Sequence, residues 1–372
     1  MTATRVIRTV LVAAVLMLPV STSAQTASAP ALAKLERDAQ KLLAAGPFTV
    51  VSKAVTPPSG DKHDYMSQAP YFWPDPKSPN GLPYIRRDGE RNPEIDKITD
   101  HRVMDQMAGA VETLALAYHF KRDEAYAQKA IQLLRAFFLD PQTRMNPNLQ
   151  FGQGIPGINT GRGIGLIETR GLTRVVEAIA FLKASTAWTS ADQEGITAWF
   201  EKFLQWMLES KNGRDEAAAK NNHGTFYDVQ VVSFALFLGK KDLAKSVLET
   251  AKTKRIAVQI EPDGRQPLEL ARTKAWSYSV GNLDGLMQLA RLGELLGVDL
   301  WNYQTRDGRG IRKALDFLAP FATGQSKWTY QQLGDWPPQM LFPLIRRAAA
   351  HYKDPAFKTL LAKVPKVDSL LE

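Results

Sequence analysis

Apolar residues recur along most of this chain at the spacing of a helix. Val103, Met107, Ala110, Val111, Leu114 and Tyr118 fall on one face of a 3.6-residue repeat, as do Ala127, Ile131, Leu134 and Phe138. The pattern returns at Ile196, Trp199, Phe200, Phe203 and Met207, and again at Leu283, Leu286, Met287, Ala290 and Leu296. Strand-like alternation is scarce. Short breakers such as "LDPQT", "LGKKD" and "LGVD" separate the helical stretches. From Ile98 onward the rhythm predicts an all-α fold of antiparallel helical hairpins, packed in a ring or a solenoid.

Two stretches interrupt it. Ala54 to Pro93 is dense in proline, which forbids a mostly helical segment, and too rich in Tyr, Phe and Trp for a disordered linker. A long ordered loop is expected there, serving as a lid or cleft wall, or as a structural wrap that plugs one end of the helical body. The other stretch, "NPNLQFGQGIPGINTGRGIG", is a glycine-rich connection in which Gly152, Gly154 and Gly157 spell G-x-G-x-x-G. No strand pattern precedes it and Pro156 interrupts it, so these glycines are read as shaping a loop, not a dinucleotide site. Arg162 and Arg170 are close enough in sequence to line a pocket with that loop.

The chain has 372 residues, 44% of them hydrophobic, enough for a sizeable core. Arg5 and Arg8, the apolar run from Val10 to Val20 and the small residues before Gln25 read as a signal peptide over 1–24, cut after Ala24. Residues 25–372 are then one exported domain, periplasmic or secreted. The apolar run is too short to span a membrane. The absence of cysteine excludes disulfides, thiolate metal sites and a cysteine nucleophile. A net charge of +9 favours an anionic partner. Without a dense Lys/Arg run, that partner is expected to be an acidic polysaccharide and not nucleic acid.

The candidate chemistry is sparse. The five histidines are far apart and form no H-E-x-x-H, so neither a catalytic metal nor an organic cofactor is expected. There is no G-x-S-x-G elbow. Paired-carboxylate hydrolases leave no local signature, so Asp228 or Glu168 in such a role stays open, as does a binding protein without catalysis. Two segments stand out. "KNNHGTFYDVQ" (220–230) puts Asn221, Asn222 and His223 before a glycine, and "ELARTKAWSYS" (269–279) places Arg272 near Tyr278, with Lys274, Trp276 and Tyr278 alternating if that piece is extended.

Together with "SGDKHDYMSQAPYFWPDP" (59–76), "GLPYIRRDGERNPE" (81–94) and "GLIETRGL" (165–172), these segments resemble the alginate lyase superfamily of polysaccharide lyases. The resemblance is stronger to polysaccharide lyase family 38 than to the family 5 alginate lyases, from whose "NNHS" the "NNHG" here departs. It implies an (α/α) toroid of about six to seven hairpins and β-elimination on a 4-linked polyuronate: alginate, polymannuronate or glucuronan. Such chemistry needs donors to neutralise the C5 carboxylate, a base for the C5 proton and an acid for the departing O4. By the resemblance, Asn222 and His223 neutralise the carboxylate, and Tyr278 is base and acid. Arg272 favours its phenolate, since a tyrosine with a pKa of about 10 is otherwise a weak base. His63 is a further candidate beside the base. Arg170, Arg86 and Arg87 are expected on flanking carboxylates, Asn221 near the substrate, and Tyr71, Trp73, Trp276 and Trp301 against sugar faces. The protein is expected to act as a monomer.

Overall fold

The computed structural model describes residues 28–365; the signal peptide read at 1–24 lies outside them. Helix α1 (Ala29–Leu42) leads into the non-helical wrap, which carries β1 (Met66–Gln68), β2 (Phe72–Trp73) and β3 (Ile85–Arg86). After it come α2 (Asp100–Lys121), α3 (Glu124–Leu134), β4 (Phe151–Gly154), α4 (Leu172–Leu182) and α5 (Ser190–Glu209). Next are α6 (Lys211–Ala217), α7 (Asn222–Phe237), α8 (Lys241–Ala251) and the short α9 (Ala257–Gln259) and α10 (Pro267–Leu270). Helices α11 (Ala275–Glu294), α12 (Ile311–Ala322), α13 (Phe342–Tyr352) and α14 (Pro355–Leu361) complete the chain.

The periodic segments form helices, and their patterning decides which lie inside. Helices α2, α4, α7 and α11 pack side by side in succession; α3 packs on α2, α5 and α8 on α7, and α12 on α11. This is the expected (α/α) toroid. Helix α7 is buried from Gly224 to Ala235, as an inner member enclosed on all sides must be. Helix α5 instead buries one stripe, Ile196, Trp199, Phe200, Phe203, Leu204 and Met207. Its start is fixed by a capping box between Thr189 and Asp192. Rings interlock where α5 meets its neighbours, with Phe138 and Trp199 centroids 4.7 Å apart edge to face and Phe200 5.1 Å from Phe234.

The wrap is ordered and tied down chemically. Lys53 and Asp100, both with fully buried side chains, pair at 3.0 Å where the wrap meets the start of α2. Lys53 Nζ also donates to the carbonyls of Val50 (2.8 Å) and Lys62 (2.7 Å), which compensates part of its desolvation. Burial pushes the Asp100 carboxyl up to about 6, against the pull of Lys53. Further on, Tyr65 and Ser67 donate to Glu168 at 2.7 and 2.5 Å. Strand β1 runs parallel to β4, so the two stretches that break the helical rhythm meet each other, while β2 and β3 form a small antiparallel pair. Among the described residues no helix is long and apolar enough to cross a membrane.

Candidate active site

"NNHG" is the first turn of α7, although three polar residues before a glycine are a poor opening for a buried helix. Its orphan N–H groups are served from outside. The backbone N–H of Asn222 donates to Glu269 Oε1 (2.6 Å), and its side-chain Nδ2 donates to Glu269 Oε2 (2.8 Å). A carboxylate at this end also meets the positive pole of the helix dipole. Burial nevertheless raises the Glu269 pKa, against the hydrogen bonds from Asn222. His223 is fixed through Nδ1, 2.8 Å from Oε1 of the buried Glu216, which leaves Nε2 for a ligand.

Behind this turn a π-helical segment, Lys252–Ile256, aims Arg255 inward. Its guanidinium pairs with Asp228 (2.7 and 3.0 Å) and donates to the carbonyls of Ala219 (2.7 Å) and Ala217 (2.9 Å), holding the end of α6 against α7. A Cβ at Gly224 would run into the Ala219 carbonyl and Nη1 of Arg255, which is why the fourth residue of "NNHG" has no side chain.

The second motif supplies the end of α10, a turn, and the first turn of α11. Tyr278 Oη accepts from Nη2 of Arg272 at 2.7 Å and donates to Oη of Tyr71, carried by the wrap, at 3.0 Å. The Arg272 guanidinium lies 3.8 Å from the centroid of the Tyr278 ring. The same guanidinium forks onto Asp88, with Nε 3.0 Å from Oδ2 and Nη2 2.8 Å from Oδ1. The N–H and hydroxyl of Thr273 donate to Asp88 Oδ2 as well (3.3 and 3.0 Å). Burial tends to raise the Asp88 carboxyl, but donors from Arg272, Arg86 and the Thr273 N–H outweigh it and hold it far below the usual range.

This changes the expected electrostatics of the tyrosine. Arg272 does pull Tyr278 towards phenolate, but burial and the Tyr71 hydroxyl dominate, so the pKa lies well above its ordinary value. The positive charge expected to activate the base is balanced by Asp88.

The structure thus joins Tyr278, Arg272 and Tyr71 directly. Asn222 is linked to them through Glu269, whose charge is felt by both Arg272 and His223. Arg86 reaches the cluster through Asp88 at 2.7 Å. Arg87 stacks on Trp73 at 5.3 Å and Arg170 on Phe226 at 5.3 Å, the latter one turn beyond Asn222 on α7. Asn221 caps α7 with its backbone, its carbonyl accepting from Gln259 at 3.2 Å.

Two expectations fail. Trp276 cannot stack on a sugar: it is fully buried against Trp328 and Trp336, with Nε1 donating to the Pro337 carbonyl at 2.8 Å. The segment is helical, not extended, so residues two apart point about 200° apart, and Tyr278 faces the site because Trp276 faces the core. Trp301 is likewise buried, stacked on His351 at 4.6 Å. His63 binds the Arg144 carbonyl through Nδ1 (2.6 Å), and none of its hydrogen bonds reaches the tyrosine.

Sequence reading overlooked Asp88, Glu269 and Glu216. The first two lie inside segments that carry the resemblance, so acidic residues within those motifs were the available signal. Asp228 and Glu168, the carboxylates considered for a hydrolase, are both committed to buried partners. Among the described residues no group of three or more His, Asp or Glu side chains is placed to hold a metal ion.

A family model described as alginate lyase matches residues 49–328. A solved alginate lyase from Bacteroides ovatus is 43% identical, with a TM-score of 0.89 over 92% of this chain and 91% of that one. Two single-residue variants of alginate lyase A1-III, each solved with a tetrasaccharide, are 14% and 15% identical, with TM-scores of 0.56 and 0.53. Each match covers 90% of this chain and 95% of that one, and shows a shared fold. A comparison with curated proteins gives no match.

Proposed function

The chain belongs to the alginate lyase family and is a polysaccharide lyase, and from that premise we propose that it cleaves a 4-linked polyuronate by β-elimination at Tyr278. The observation carrying this reading is the Tyr278 hydroxyl, set 2.7 Å from Arg272 and 3.0 Å from Tyr71. Asn222 and His223, each fixed by a buried glutamate, supply the other half of the reading. Asn222 and Nε2 of His223 donate to the C5 carboxylate, so charge that develops there on proton abstraction is tolerated. The Tyr278 phenolate, stabilised by Arg272, takes the C5 proton. The C5–H electron pair becomes the C4=C5 double bond, the C4–O4 bond breaks, and O4 leaves with the proton that Tyr278 returns. One group serving as base and acid suits a syn elimination.

Tyr71, Trp73, Arg86 and Arg87 of the wrap, with Arg170 and Asn221, bind flanking units, and 54–93 acts as a cleft wall over the domain 25–372. The enzyme acts as a monomer outside the cytoplasm, in the periplasm or medium, supported by the signal-peptide pattern at 1–24. Its substrate is alginate, polymannuronate or glucuronan. Incubation with alginate, polymannuronate, polyguluronate and glucuronan, followed by ultraviolet absorbance of the new double bond, tests the reading. No unsaturated product from any of them refutes it. Tyr278→Phe is expected to abolish turnover with an unchanged circular dichroism spectrum; retained activity removes Tyr278 from the mechanism.

A further inference from the structure

Arg272, the cation nearest the reacting tyrosine, is committed to Asp88. Arg162 is the opposite case. It is largely removed from water yet forms no ion pair among the described residues; its one side-chain hydrogen bond runs from Nη2 to Gln153 Oε1 at 2.9 Å. Its Nε is buried without an acceptor, and Nη1 makes no hydrogen bond within the described residues. Burial lowers its pKa, Arg86 adds to that effect, and the charges of Glu168 and Glu216 oppose it. A desolvated cation without a counter-ion is costly, and a structure keeps one where a ligand supplies the missing charge.

Its surroundings place it in the site. The guanidinium lies 5.1 Å from the ring of Phe72, the neighbour in sequence of Tyr71, which touches Tyr278. Glu216, whose field it feels, is the carboxylate that holds His223. Arg162 is thereby tied to both halves of the site, by its ring contact with the neighbour of Tyr71 and by the charge of the carboxylate that holds His223. The scaffold around it is built closely. A Cβ on Gly161 would strike the Gln150 carbonyl and the Phe151 backbone, so the chain reaches Arg162 only through a glycine. Gln153, which receives Nη2, is 6% exposed and adopts a left-handed φ of 51°, a conformation a non-glycine residue keeps only when its surroundings enforce it.

We propose that Arg162 receives the carboxylate of a bound uronate unit and so selects acidic over neutral sugar chains. This rests on the polyuronate reading above. Binding is measured by calorimetry in the inactive Tyr278→Phe background, with a uronate tetrasaccharide and its carboxyl-reduced, neutral counterpart. Arg162→Gln is expected to weaken the acidic ligand on the order of 10- to 100-fold while leaving the neutral one unchanged. Arg162→Lys keeps the charge and loses the fork, so it falls between the two and guards against misfolding of the glutamine variant. Unchanged affinity for the acidic ligand in either folded variant overturns the assignment, as does equal weakening of both ligands. If the wild type turns over polyuronate while Arg162→Gln keeps its KM, Arg162 alone is misassigned. A wild type inactive on every polyuronate overturns both readings.

Discussion

Replacing Asp88 with asparagine removes one negative charge from the site and keeps most of its shape. The amide oxygen keeps the bonds of one carboxylate oxygen, those from Arg272 Nη2 or those from Thr273, while the amide NH2 faces the donors of the other. What changes is the balance on Tyr278. In the native site Arg272 is shared between a carboxylate and the phenol, and the phenol stays protonated because burial and Tyr71 prevail. For charges roughly 5 Å apart at an effective dielectric constant of about 20, the lost repulsion between Asp88 and a phenolate is ~3 kcal/mol, an upper bound of about two pH units. Solvent at the partly exposed Asp88, whose side chain is 20% accessible, screens this to roughly one unit. Phenolate is the minor form in the native site, so with Tyr278 as the proposed base kcat/KM is expected to rise with pH through the neutral and alkaline range. Asp88→Asn is expected to move that rising limb down by about one pH unit, with about two as the ceiling, which is about 10-fold more active base at a given pH on the limb. The assay is the pH profile of unsaturated-product formation, alongside the 13Cζ shift of Tyr278 in tyrosine-labelled protein. A midpoint that stays put or moves up refutes the argument.

Three other perturbations test the framework. Asp100→Asn leaves Lys53 as an uncompensated buried charge and is expected to cost ~3–5 kcal/mol in urea unfolding, most of it recovered in the Lys53→Met/Asp100→Leu pair. With Asp100 at about 6 in the fold and near 4 when unfolded, its raised pKa contributes stability below the unfolded value, and this contribution is lost as pH rises through 6. The Asn variant is expected to lack this dependence in urea titrations on either side of pH 6. Gly224→Ala forces a methyl into the Ala219 carbonyl and the Arg255 guanidinium, with an expected loss of ~1–3 kcal/mol in the same assay. Glu269→Gln sets an amide NH2 against two donors of Asn222, which predicts a loss of ~1–3 kcal/mol and a lower kcat/KM; unchanged kinetics refute its part in orienting Asn222.

The helices were readable because their periodicity is local: Val103 to Tyr118 and Ile196 to Met207 carry their burial in their own spacing. The failures share the opposite property. Whether Trp276 faces a sugar or the core depends on where α11 begins, and "ELARTKAWSYS" has no strong capping signal; Lys274 makes no side-chain cap. Asp88 meets Arg272 across 184 positions and Glu269 meets Asn222 across 47, distances over which no pattern in one sequence assigns a partner. Glu216 is only seven positions from His223, but the end of α6 and the start of α7 fall between them, so no single helical face predicts their contact. The chemistry-bearing residue types were readable; the charges that set their protonation were not.

The wrap also divides the labour of failure. Tyr71 and Asp88 ride on a segment outside the ring of helices, anchored by a buried ion pair at one end and a carboxylate–guanidinium fork at the other. Most of the helical signal comes from elsewhere. On the proposed mechanism, mild denaturant that detaches this segment is expected to abolish lyase activity before the helical circular dichroism falls. Heat tolerance is then expected to follow the two anchors of this strap, Lys53–Asp100 and Asp88–Arg272.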